Sequence, residues 1–106
     1  MARHARRGEI WLVDLGLVQK TRPVLVLSVD FLDHERAVVT YVPRTTAQRG
    51  TRFEVVHQAR GFEPGVFDAQ GLGSIPTAKL VRSLGTAEAP TLRAVEETVK
   101  AWLALP

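Results

Sequence analysis

The sequence predicts a mainly β fold: a small, strongly bent barrel of short antiparallel strands closed by a C-terminal α-helix. Three observations predict it. Six short apolar runs are separated by joints rich in glycine, proline and aspartate. The last segment abandons alternation for a helical period. At 106 residues the chain makes one domain, spanning 1–106, and short strands in this number favour a barrel over a sandwich.

Taken in order, Glu9 to Asp14 is the first strand and carries Trp11. Val24 to Val29 is the second, almost continuously aliphatic and so expected to be buried on both faces. A polar turn, Asp30 to Arg36, leads to the third, Ala37 to Val42. Arg52 to His57 is the fourth, Gly65 to Ala69 the fifth and Lys79 to Leu84 the sixth. Gly71-Leu72-Gly73 reads as a flexible connection, since no helix follows it as a phosphate-binding loop requires. Pro90 suits the first turn of a helix, and Leu92, Val95, Val99 and Trp102 or Leu103 then fall on one face. Arg93, Glu96, Glu97 and Lys100 occupy the other. Residues 1–7 read as a frayed basic tail without the apolar stretch of a secretory signal.

With 45% hydrophobic residues the chain can bury a core, though a small one, and a dimer interface would add to its stability. There is no cysteine, hence no disulfide framework and no thiolate metal site; this fits a reducing, cytoplasmic setting. No apolar run reaches the roughly 20 residues of a membrane span. A net charge of +3 is mild, so its distribution matters more. From Arg36 to Phe53 there are four arginines, Arg36 included, and no acid.

The chemistry-bearing residues lie at two strand ends. Val42-Pro43-Arg44-Thr45-Thr46-Ala47-Gln48-Arg49 runs from an apolar strand through a proline into two hydroxyls between two arginines. Hydroxyl donors beside guanidinium groups suit a phosphate that gains charge during a reaction. Upstream, Arg22-Pro23 opens the second strand, and the proline restricts Arg22 to extended backbone. These two corners are expected to share one anion. Arg44, Arg49 and Arg52 read either as solvated charge or as contacts to an RNA backbone. His4, His34 and His57 show no metal-ligand spacing, and His57, ending a strand, reads as structural. Trp11 and Trp102 read as core or interface residues.

At this point the chain resembles the MazF/PemK (Kid) family of toxin endoribonucleases from bacterial toxin–antitoxin pairs. Gly8-Glu9-Ile10-Trp11-Leu12-Val13-Asp14 is similar to the family's opening strand, Arg22-Pro23-Val24-Leu25-Val26-Leu27-Ser28 to its RPVLVLS motif, and Val42-Pro43-Arg44-Thr45-Thr46 to its VPxTT motif. Phe53-Glu54-Val55 follows at the expected distance, so the resemblance covers nearly the whole chain. It implies an SH3-like barrel of the CcdB/PemK type and a homodimer. It further implies sequence-selective cleavage of single-stranded RNA, mRNA above all, with neither metal nor cofactor, and a MazE-like antitoxin partner whose flexible acidic tail covers the RNA site. Carried over residue by residue, it places the catalytic arginine at Arg22 and the catalytic threonine at Thr45, or at Thr46 if the alignment is offset by one. Gln19, Lys20, Arg44, Arg49, Arg52 and Gln70 are the expected substrate-binding residues.

The chain departs from the family pattern twice. The loop between the first two strands shrinks to Leu15-Gly16-Leu17-Val18-Gln19-Lys20-Thr21. Where many members have Asp-Gln-x-Arg, this chain has Gln70-Gly71-Leu72-Gly73, without the acid and the arginine. The implied reaction is attack of a ribose 2′-OH on its own 3′ phosphorus, giving a 2′,3′-cyclic phosphate and a 5′-OH. Arg22 suits charge stabilisation but cannot serve as a base, and no residue presents itself for that role. Two further readings stay open: a non-catalytic RNA- or antitoxin-binding module, and a CcdB-like toxin that blocks DNA gyrase.

Overall fold

A computed structural model describes residues 4–16 and 20–106. The strands are β1 (Glu9–Asp14), β2 (Thr21–Val26), β3 (Val38–Thr45), β4 (Glu54–His57), β5 (Gly65–Asp68), β6 (Gly73–Pro76) and β7 (Leu80–Thr86), followed by the helix α1 (Ala89–Leu103). All pairings are antiparallel, in the order β4-β5-β3-β2-β1-β7, with β6 also on β3. The expected mainly β, antiparallel architecture with a terminal helix is therefore present.

The sheet curls for reasons visible in its ladders. Register shifts between Ile10 and Trp11 and between Leu12 and Val13 interrupt the β1–β7 pairing, and such bulges increase local twist. The central strand β3 keeps β2 on one edge, while its other edge is divided. Val38 to Tyr41 pair with β6, and Arg44 and Thr45 pair with β5. Pro43 falls at the changeover, where its missing N–H costs no ladder bond on that edge. The two 3₁₀ turns, Ala69–Gly71 and Thr77–Lys79, link β5, β6 and β7.

Each face of the bent sheet has its own core. Trp11 and Val13 of β1, Val24 and Val26 of β2, and Val39 of β3 meet Ala5 and Leu80 on one face, with Tyr41 and Ile75 packed alongside. Ile10, Leu25, Val42 and Phe67 meet Ala87 and Val95 on the other, where Leu92 and Val99 of α1 close over them. The period-two alternation of each strand makes this split. A fully buried aliphatic side chain such as Val24 or Leu25, each 0% exposed, contributes about 1.5–3 kcal/mol.

Four expectations are corrected. β2 begins three residues earlier than the aliphatic run, because Thr21 and Arg22 pair with Asp14 and Val13 of β1. β3 continues through Pro43 to Thr45, because β5 pairs with its end. Gly73 does not end a flexible connection but opens β6, where it lies opposite Tyr41. A side chain at Gly73 would stand 3.0 Å from the Tyr41 hydroxyl. Residues 4–7 are packed and not frayed: Ala5 is buried, His4 stacks on Phe31, and the Arg7 guanidinium bonds the Leu27 carbonyl and the Glu96 carboxylate of α1.

Candidate active-site groove

The parting of β2 from β3 builds the site. Leu27 donates its N–H to the Thr40 carbonyl at 2.9 Å, so the odd residues of β2 turn their amides toward β3. Pro23 belongs to that set and has no N–H to give. The ladder accordingly ends at Val24 opposite Pro43, and the strands separate where the same register would have set Arg22 against Thr45. Arg22 stays held from the other side by its pairing with Val13 of β1. A groove of about 200 Å³ opens between the strands, lined by Thr21, Arg22, Pro23, Arg44, Thr45 and Thr46.

Strand parity decides which side chains face this groove. Arg22 alternates with Val24 and Val26, and Thr45 with Pro43 and Tyr41, so both lie on the face of the Trp11 core. Thr45 Oγ accepts the Ala47 N–H at 3.0 Å. This bond uses a lone pair of the hydroxyl and leaves its proton free to donate to a ligand. Thr46 follows on the exposed turn at the groove's rim.

Arg44 has the opposite parity, and the structure takes its guanidinium away from the groove. It is 5% exposed. Its Nε–H donates to His57 Nδ1 at 2.8 Å, and Nη2 donates to the carbonyls of His57 (3.1 Å) and Glu63. Its charge also lies over the Phe62 ring. Burial draws its pKa down, opposed by the Glu63 carboxylate. Arg44 thus borders the groove only through its place on β3; the expected solvated contact is a buried clamp that fixes β3 against the β4–β5 connection. Gly65 makes that clamp fit, since a Cβ there would lie 2.7 Å from the Thr45 carbonyl and 2.8 Å from Arg44 Nη1.

The other candidates stand apart from the groove lining. Lys20 is exposed one residue before Thr21, with φ 54°. Its N–H donates to the Gly16 carbonyl and its own carbonyl accepts from Leu15, pinning the loop ends. Gln19 lies outside the described residues. Arg49 and Arg52 ride on the β3–β4 connection, both exposed, and Arg52 stacks on Phe53 with 4.5 Å to the ring centroid. Gln70 is exposed in the first 3₁₀ turn, its N–H bonded to the Asp68 carboxylate at 3.1 Å. The next residue, Gly71, packs on Pro43, where a Cβ would lie 2.6 Å from the ring.

Glu54 organises the arginine-bearing connection. Its carboxylate accepts the N–H groups of Arg49, Gly50 and Thr51 at 2.8–3.2 Å. The Arg49 amide foremost, with the Gly50 and Thr51 amides and the Arg49 charge, holds its pKa below the usual carboxylate range against a smaller opposing effect of desolvation. Neither this residue nor Thr21 stood out as functional in the sequence, and Pro23 did so only as the residue that holds Arg22 extended. A lone acid two residues after Arg52 was the available signal for Glu54. Among the described residues no group of three or more His, Asp or Glu is placed to hold a metal ion.

Comparison with known proteins follows the same outline. Residues 6–103 match the model of the PemK-like, MazF-like toxins of type II toxin–antitoxin systems. Among solved structures, the Mycobacterium tuberculosis toxin MazF-mt6 is similar at 29% identity, covering 92% of this chain and 98% of that one, with a TM-score of 0.80. A MazE–MazF structure from Deinococcus radiodurans is similar at 26% identity, 97% and 99% coverage and a TM-score of 0.78. An endoribonuclease in complex with its cognate antitoxin, from a mycobacterial species, shares the fold at 23% identity, 97% and 98% coverage and a TM-score of 0.84. With a family model matched over almost its entire length, and with the motif arginine and threonine set on one groove of the matching fold, this chain belongs to the PemK-like, MazF-like toxin family.

Proposed function

We propose that this protein is an endoribonuclease toxin that cleaves single-stranded RNA at short recognised sequences, without a metal ion, and is neutralised by an antitoxin. One observation carries the reading: Arg22 and Thr45, from strands that part at Pro23, face one groove on the same side of the sheet. Relatives named as endoribonuclease or as MazE–MazF complexes support the activity and the partner.

In this reading the substrate supplies its own nucleophile. The 2′ oxygen forms a bond to phosphorus, the bond from phosphorus to the 5′ oxygen breaks, and the products are a 2′,3′-cyclic phosphate and a 5′-OH. The 2′ proton leaves to solvent and the departing 5′ oxygen takes one from it. Arg22 stabilises the charge growing on the phosphoryl oxygens. Thr45 donates its free hydroxyl proton to one of them. Arg44 positions Thr45 from the far side of β3 and does not touch the substrate. Lys20, Arg49 and Arg52 attract the flanking phosphates, and Gln19 and Gln70 remain candidates for base contacts. A homodimer would set two such grooves on one assembly.

The test is purified protein with end-labelled single-stranded RNA in EDTA. Cleavage with a cyclic phosphate terminus, abolished by Arg22→Ala, is the expected result. Binding without cleavage would identify a non-catalytic module, and cleavage that needs a divalent ion would reject the mechanism.

A further inference from the structure

We propose that the cavity between the β4–β5 connection, β7 and the first turn of α1 is a binding site for a peptide carboxylate carried on a small aliphatic body. The cavity holds about 310 Å³ and lies on the α1 face of the sheet, opposite the Arg22 groove. It stands independently of the RNase reading. Its floor is apolar, with Ile10, Phe62 and Leu84, and its polar walls include His57, Arg60, Glu88 and Thr91.

The donor set points to an anion. His57 is only 6% exposed. Its Nδ1 accepts from Arg44 Nε at 2.8 Å, which places the ring proton on Nε2. Among the described residues Nε2 has no hydrogen-bond partner, yet no fully buried polar side-chain atom is left without one. The Nε2–H is therefore reached from outside, through the cavity that His57 lines. Beside it stands the start of α1. Glu88, the residue before the helix, does not cap it with its side chain, and the first turn contains no acid. The first N–H groups of a helix have no intrahelical acceptor and favour negative charge. A neutral N–H on a largely buried ring, the Thr91 amide in the first turn of α1 and Arg60 thus line one cavity, in which Glu88 is the one acid among the described lining residues.

Glu88 also selects among anions. A carboxylate on the rim repels a phosphate dianion more than a single carboxylate. The apolar floor asks for an aliphatic neighbour, as an acidic residue next to leucine or a chain terminus at leucine would provide.

The experiment is an NMR titration of the whole protein, following the His57 ring and the Thr91 amide. The probes are N-acetyl-leucine, acetyl-leucyl-glutamyl-leucinamide, the uncharged N-acetyl-leucinamide and inorganic phosphate. Saturable shifts at both reporters are expected with a carboxylate probe, at least about tenfold weaker with the uncharged amide. Which carboxylate probe saturates first tells a chain terminus from an acidic side chain. Glu88→Gln should tighten carboxylate binding about two- to fivefold, and His57→Phe should abolish it. Should His57→Phe not fold, Glu88→Gln decides: unchanged or weaker affinity overturns the proposal. So do equal binding of amide and carboxylate, tighter binding of phosphate, or no shift at either reporter.

Discussion

Arg44 and Thr45 are neighbours in sequence with opposite fates, and the difference is one of parity. On a strand, adjacent side chains point to opposite faces. Thr45 meets the groove, and Arg44 enters the second core to bond His57 and Glu63. Replacing Arg44 with Met should therefore destabilise the fold by about 3 kcal/mol, because buried acceptors lose their donor; a denaturant midpoint will show it. His57 follows the same logic. Burial first, then the Arg44 charge, lowers its pKa, opposed by Glu88. The unfolded chain thus binds a proton that the folded ring refuses. Stability contributed by the neutral ring is complete above about pH 6.5 and falls as pH drops through the folded value. An NMR titration should place the His57 midpoint below the ordinary histidine value.

At the scale of elements, the connection between β3 and β4 is a loop built on one carboxylate. Glu54→Gln should speed hydrogen exchange of the Arg49, Gly50 and Thr51 amides, which now end on its oxygens. Because Glu54 has a lowered pKa, the wild-type protection should persist at neutral pH and vanish only as pH falls through that lowered value. Arg52→Ala should weaken RNA binding across sequences and reduce the slope of affinity against salt by about one. The contact between β5 and β3 gives a separate test. Gly65→Ala would press a methyl against the Thr45 carbonyl and Arg44 Nη1, at a cost of about 1–3 kcal/mol. That cost should appear as a lower Tm together with slower cleavage, since the displaced carbonyl belongs to Thr45.

Over the whole molecule, the aliphatic runs and the helical period of Leu92, Val95 and Val99 were legible because burial imposes period on sequence. The strand β6 was not. Gly73-Ser74-Ile75-Pro76 is too short and too rich in breakers to announce itself, and only pairing with β3 makes it a strand. The extensions of β2 to Thr21 and of β3 to Thr45 were hidden for a related reason: prolines inside both strands read as corners. Pro23 does break a ladder, though the β3 ladder alone, and that break opens the groove. The motif residues Arg22 and Thr45 were legible, while the buried bond from Arg44 to His57 depends on a contact across 13 residues.

The most direct test of the account is a double-mutant cycle on the single-turnover rate of RNA cleavage, with Arg22→Ala, Thr45→Ala and the pair. If both side chains serve one phosphoryl group, each single change costs about 10²-fold or more, and the pair costs clearly less than the product of the two. An unchanged rate in Arg22→Ala, or losses that simply multiply, would contradict it.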